Sequence, residues 1–326
     1  MAHEKPFTEK DLEYIKSNYN QVPHPKLYKG LPDWRGCEKV FYRKCLKLGF
    51  RRDKKKFSIP IKGFYNKQYW KDLDLIKCYL AGNIAADANL NLTNGIYKLR
   101  LAVEKTDECL IDTYVKQLNF TGNKNYCLRT HKTGNQSTQV SVTFTGFCEN
   151  AEYLNKHFNL VPNKTYRLGP TNLQNENFNL AYLIGYCDGD GTIAMTSKNR
   201  TSELSSYIYF ISCSKNLLDW IKCMLDTKFS PEINRNQPPK VHQKGQHNAW
   251  VYCISGIRAA VIINYLRKFP VPKLARKWEN PEVLAYIEEK KKLRPELFIE
   301  PDQTELAALM PKPLAVEVPQ NPVLAV

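Results

Sequence analysis

Residues 182–190 read Tyr182-Leu183-Ile184-Gly185-Tyr186-Cys187-Asp188-Gly189-Asp190, and Tyr79-Leu80-Ala81-Gly82-Asn83-Ile84-Ala85-Ala86-Asp87 stands 103 residues before them. Gly82 matches Gly185, Ala86 matches Gly189 and Asp87 matches Asp190. Within each copy the small residues are four apart, so on a helix they share one face and let two backbones approach closely. Two such helices can pack side by side, each covering the small face of the other. Each aspartate then falls at the C-terminal end of its helix, where the macrodipole is already negative. Parallel packing also brings the two carboxylates together, and they repel. An arrangement this costly, and repeated, points to a cation. Two carboxylates with backbone carbonyls suit a hard divalent ion such as Mg²⁺ or Mn²⁺, and such sites serve phosphodiester hydrolysis. Asp190-Gly191 alone reads as a helix stop and a turn. Two copies in register, in a basic chain, favour the ion.

Working outward, the pattern around each copy also repeats. Helical stretches 75–87, 107–118 and 150–158 alternate with strand-like stretches 96–103, 126–128 and 139–144. From residue 178 the alternation starts again, with helical 178–190, 217–225 and 257–266 and strand-like 207–213 and 250–254. An internal repeat of about a hundred residues makes the chain a duplicated α+β unit.

Residues 183–191, Leu-Ile-Gly-Tyr-Cys-Asp-Gly-Asp-Gly, closely resemble the signature of the LAGLIDADG homing endonucleases, and residues 80–88 look like a second, worn copy. The resemblance covers roughly residues 70–295. It implies two pseudo-symmetric αββαββα halves, 70–170 and 175–295, forming a DNA-binding saddle whose sheets enter the major groove. Two motifs in one chain imply a monomer that cuts both strands of a long double-stranded DNA site. Carried over residue by residue, Asp87 and Asp190 bind the metal together with the carbonyls of Ala86 and Gly189. The family also places a basic residue late in each half. Pro162-Asn163-Lys164-Thr165 and Pro272-Lys273 look like those positions, so Lys164 and Lys273 are the catalytic candidates, with Arg276 or Lys277 as alternatives to Lys273. Ala88 stands where glycine is usual, and glycine there is expected to relieve a left-handed cap, so a distorted first centre is expected.

Charge points the same way. The chain carries 48 Lys and Arg against 32 Asp and Glu, a net +16, which implies a polyanionic partner. Residues 1–60 hold 15 of those cations and 7 of the acids. Thr8 with Asp11 is a helix-start signal, and Leu12, Ile15 and Tyr19 follow at helical spacing. A cationic helix over 35–48, with Val40, Phe41, Cys45 and Leu48 on its apolar side, carries Lys39, Arg43, Lys44 and Lys47. Gly49 ends it ahead of a basic run containing Arg51 and Arg52. Residues 7–19 and 43–50 resemble the small helix-turn-helix modules found beside phage and intron endonucleases, which implies an all-α DNA-binding domain over residues 1–60. Alternation along 97–101 and 138–143 gives strands with one polar face, including Lys98 and Arg100. Polar loops at 198–206 and 234–248 carry Arg200, Arg235, Lys240 and Lys244, suited to backbone phosphates.

Several classes drop out. A polar, charged N-terminus is no signal peptide, and the longest apolar run is too short to span a bilayer, so a cytoplasmic protein of a phage, bacterial or organellar element is expected. The ten cysteines are scattered singly with no C-x-x-C pair, which reads as buried free thiols rather than a zinc or disulfide framework. Residues 300–326 are Pro-rich and read as a largely disordered tail. The competing function is a cleavage-deficient DNA- or RNA-binding protein on the same scaffold, an intron maturase or a transcription regulator. Retention of both costly acids favours cleavage.

Overall fold

The computed structural model describes residues 7–19, 24–31, 38–50, 63–130, 135–197, 204–230, 239–245 and 248–311. The chain divides into two compact units, Met1–Lys62 and Gly63–Val326.

The first unit is helical where described: α1 (Glu9–Asn18), α2 (His24–Lys29) and α3 (Glu38–Lys47). The expected start of α1 is present as a reciprocal cap between Thr8 and Asp11. Ile15, Tyr19, Leu27, Leu31, Phe41 and Cys45 form a separate small core. Leu48 does not join it and is 54% exposed. The helix ends at Lys47, Gly49 turns the chain at φ +80°, and the Phe50 N–H returns to the Cys45 carbonyl at 3.0 Å. Phe50, not Leu48, therefore packs back on Tyr19, with ring centroids 5.3 Å apart.

The second unit has the expected α+β architecture, in two halves of the same order. The first runs α4 (Leu75–Asp87), β1 (Asn89–Thr93), β2 (Ile96–Glu104), α5 (Glu108–Gln117), β3 (Asn125–Thr130), β4 (Gln136–Thr145) and α6 (Cys148–Phe158). The second runs α7 (Glu176–Asp190), β5 (Gly191–Ser197), β6 (Leu204–Ser212), α8 (Lys215–Lys228), β7 (His242–Gln243), β8 (Trp250–Ser255) and α9 (Ile257–Leu266). Each half builds an antiparallel four-stranded sheet, ordered β1-β2-β4-β3 and β5-β6-β8-β7. Leu99, Leu101, Val140, Val142 and Phe144 turn one face of the first sheet into the core, as Ile208, Phe210, Tyr252 and Ile254 do for the second. The β1–β2 hairpin turns on Asn94 (φ 51°) and Gly95 (φ 75°), the Asn-Gly pair favoured in two-residue turns.

Beyond α9 come α10 (Ala275–Trp278), α11 (Pro281–Leu293) and α12 (Gln303–Ala308). The start of the expected disordered tail is thus folded: Asp302 caps α12, Leu306 is buried, and the Leu309 carbonyl accepts from Leu75 N at 3.0 Å, at the start of α4. One buried leucine, a side-chain cap and one backbone bond dock this short helix. Residues 312–326 lie outside the described residues. Among the described residues no helix is long and apolar enough to cross a membrane. Among the described residues nine cysteines are free, and of these Cys45, Cys78 and Cys187 are buried while Cys109, Cys127 and Cys223 are exposed.

Candidate metal centre

Helices α4 and α7 pack in parallel with the motif copies in register. A Cβ placed on Gly82 would fall on the Tyr182 carbonyl oxygen, and one on Gly185 on that of Tyr79. One turn further on, a Cβ on Gly189 would meet the Ala86 methyl and stand 2.9 Å from Asp87 Oδ2. Both helices are buried along almost their whole length, which the apolar residues spread around both of them require. Asp87 and Asp190 close the two helices side by side.

The electrostatics follow from this placement. Burial, then the Asp87 carboxylate, pushes Asp190 up to about 6 against the opposing pull of Lys164 and Lys277. Burial raises Asp87 as well, with the same two lysines opposing it. Neither acid is fully compensated by protein cations.

Lys164 and Lys277 are pseudo-symmetric partners. Lys164 Nζ donates to the carbonyls of Ala85 at 2.5 Å and Ala86 at 3.3 Å, at the end of α4. Lys277 Nζ donates to Cys187 (2.9 Å), Asp188 (2.6 Å), Gly189 (3.4 Å) and Gly191 (2.7 Å), around the end of α7. Lysines at helix C-termini satisfy orphan carbonyls and meet the negative dipole end. Burial lowers Lys164 to about 8 and also lowers Lys277. Lys273, the preferred second-half candidate, is not at this centre. It donates to the Phe269 carbonyl and lines a small cavity with Tyr79, Cys109 and Thr113. Lys273 precedes α10 and Lys277 lies within it, and of the two only Lys277 donates to α7. Arg276 is taken up by a paired contact with Asp107 of the first half, at 2.8 and 2.6 Å.

Asp188 was not singled out in the sequence. It is buried, and accepts from Tyr79 Oη (2.8 Å), Trp278 Nε1 (2.7 Å) and Leu274 N (3.1 Å). It therefore ties α4 to the segment that carries Lys277. Ala85 at the equivalent place in α4 makes no such tie. The expected distortion at Ala88 is absent: Ala88 (φ −81°) and Gly191 (φ −110°) are both extended, so no left-handed cap exists. Gly191 is needed for space instead, since a Cβ there would stand 2.6 Å from the Cys187 backbone.

The donor set fits a hard divalent ion. Among the described residues no group of three or more His, Cys, Asp or Glu gathers. An ion here would rest on the two undercompensated carboxylates and on helix-end carbonyls, an all-oxygen set. A cavity of about 280 Å³ is lined by Asp190, Lys164, Ser212 and Cys213 among others.

The other singled-out cations are placed as follows. Arg100, Lys240 and Lys244 are exposed and Lys98 is half-buried. Arg43 and Lys47 are exposed on α3, Lys44 lies 5.5 Å from the Phe7 ring centroid, and the Lys39 backbone is in α3. Arg51, Arg52, Arg200 and Arg235 lie outside the described residues. Arg129, Asn89, Asn91 and Gln139 share the outward face of the first sheet with Arg100, a grouping that cross-strand register sets and that reading single strands missed.

Residues 177–266 match the family described as the LAGLIDADG-like domain. No curated protein matches the chain. Similar solved structures include the I-LtrWI LAGLIDADG homing endonuclease bound to target DNA, 13% identical with a TM-score of 0.40, covering 75% of this chain and 96% of that one. The meganuclease I-SmaMI bound to uncleaveable DNA is 11% identical with a TM-score of 0.44, covering 71% and 96%. The LAGLIDADG meganuclease I-AabMI bound to uncleaved DNA is 10% identical with a TM-score of 0.40, over the same shares. The family match thus falls within the second half. Residues 75–158 repeat its element order and its sheet topology.

Proposed function

We propose that this protein is a site-specific, divalent-metal-dependent DNA endonuclease that hydrolyses one phosphodiester bond on each strand of a long duplex site. The observation that carries the reading is the parallel pairing of α4 and α7, which brings Asp87 and Asp190 together within the electrostatic reach of Lys164 and Lys277. In this reading the two carboxylates hold the ion with the carbonyls of Ala86 and Gly189. A bound Mg²⁺ supplies an activated water and charge stabilisation for the leaving oxygen. The two ammonium groups keep positive charge where scissile phosphates would lie. The outward sheet faces take the major groove. One chain supplies both acids and both lysines, so a monomer is complete.

The rival is a binding protein that no longer cuts. Its support is that Lys164 and Lys277 already donate to the carbonyls of Ala86 and Gly189. Those are the longest bonds each ammonium makes there, at 3.3 and 3.4 Å, which leaves the carbonyls open to a second partner.

The deciding experiment incubates the protein with Mg²⁺ and the DNA around its own gene's empty insertion site, and maps the ends. Double-strand ends are expected from the wild type and from Lys273→Met. Asp190→Asn, Asp87→Asn and Lys277→Met are expected to bind the DNA and leave at least one strand intact. Specific binding without cleavage by the wild type would establish the rival reading.

A further inference from the structure

The two sheets present different chemistry on their outward faces. On the first, register places Asn89, Arg100 and Thr143 in one row and Asn91, Lys98 and Thr145 in the next. Gln139 lies across from Glu104 and Cys127, and Arg129 across from Ser137, on the same face. Their alternate neighbours Leu99, Leu101, Val140 and Val142 are buried. The Asn91 Oδ1 atom is buried and has no hydrogen-bond partner.

On the second sheet, Thr192, Tyr209 and Cys253 form one row, and Ala194, Tyr207 and Ser255 the next. Ile193, Ile208, Phe210, Tyr252 and Ile254 point the other way, into the core. Within the described residues the strands β5 to β8 hold no Lys, Arg, Asp or Glu. The nearby cation Lys244 sits 5.7 Å from the Tyr209 ring centroid, outside the strands. Pseudo-symmetry of fold thus does not extend to the faces that would meet DNA.

We propose that the two sheets read their half-sites by different chemistry: the first by ionic and amide hydrogen bonds to purines, the second by apolar contact with thymine methyl groups. Arginine pairs with the O6 and N7 acceptors of guanine, and Asn or Gln with adenine, whereas only thymine offers a methyl group in the major groove. Tyr207, Tyr209, Ala194 and Cys253 are half-buried apolar surfaces of the kind that meets such methyls. Hydroxyls of Thr192 and the tyrosines serve the neighbouring O4 acceptors. This inference rests on the DNA-binding reading above, and its test separates the two.

The full-length protein, in EDTA, is used to select bound sequences from a duplex library randomised over the whole site. The arm whose preference relaxes in Arg100→Ala lies under the first sheet. The selected site is then resynthesised with deoxyuridine for thymine, which removes only the methyl, in one arm at a time. Affinity is expected to fall about three- to fourfold per contacted thymine in the arm remote from Arg100, and to hold in the other. Tyr207→Ser/Tyr209→Ser is expected to abolish that loss. Equal losses in both arms, or a loss confined to the Arg100 arm, would overturn the inference and leave the endonuclease reading standing. Failure to select any sequence would overturn the DNA reading itself. The uracil comparison uses the wild type, so a variant that fails to fold does not blunt it.

Discussion

Burial and the Asp87 carboxylate push Asp190 from the ordinary aspartate value of 3.8 up to about 6, so the folded chain keeps a proton there after the unfolded chain has released it. Where the native state binds more protons, stability falls as pH rises. The window runs from 3.8 to about 6, and above it the penalty is fully present. Without a divalent ion, Asp190→Asn should therefore stabilise the protein at pH 8 by about 1–3 kcal/mol, with almost no gain at pH 4. Thermal melts in EDTA at the two pH values measure this. An asparagine variant that melts below the wild type at pH 8 would mean that Asp190 is already compensated by protein contacts. Burial raises the Asp188 carboxyl as well, so hydrogen bonding is what separates Asp190 from Asp188. Asp188 is buried and Asp190 half-buried on one helix turn, and Asp188 has three donors and serves structure.

At the scale of elements, the molecule depends on the contact between α4 and α7. Gly185 on an ordinary exposed helix would gain about 1 kcal/mol on replacement by alanine. Here the new methyl would fall on the Tyr79 carbonyl oxygen, and backbone cannot rotate away as a side chain does. Gly185→Ala should therefore lower stability by about 1–3 kcal/mol, and Gly185→Leu by more. Cleavage should fall further than stability, because parting the helices misplaces both acids. A raised melting temperature would break the helix pairing and the metal centre with it. Much of this was legible in the sequence, because four-residue spacing of small side chains and the end-of-helix aspartates are local signals that recur 103 residues apart. What escaped was non-local or slight. β1 offered only Leu90 and Leu92 as an apolar pattern, and its real marker was the Asn94-Gly95 turn. The choice of Lys277 over Lys273 depends on how the short helix that begins between them meets α7, and Asp188 found its purpose only through Tyr79 of the other half and the distant Leu274 and Trp278.

For the whole molecule, the distribution of charge makes the strongest quantitative demand. Residues 1–60 carry a net +8 of the chain's +16, in under a fifth of its length. The helical unit that includes them has its own core, with Phe41, Ile15 and Leu27 fully buried and no member shared with the larger core. Its exposed cations Arg43 and Lys47 therefore stand on a scaffold that folds around other residues. If they contact DNA, each phosphate they neutralise adds about 0.9 to the slope of log affinity against log salt. Deleting residues 1–60 should weaken binding and flatten that slope by about two to five, measured by titration at several salt concentrations. The larger unit should keep its fold and its cutting ability, since Asp87, Asp190, Lys164 and Lys277 all lie within it. Neutralising Arg43, Lys44 and Lys47 together should remove up to about three of those slope units without loss of helical content. An unchanged slope in the deletion would assign the N-terminal charge to solvent rather than to phosphate, and would place the whole grip of the protein on its two sheets and their loops.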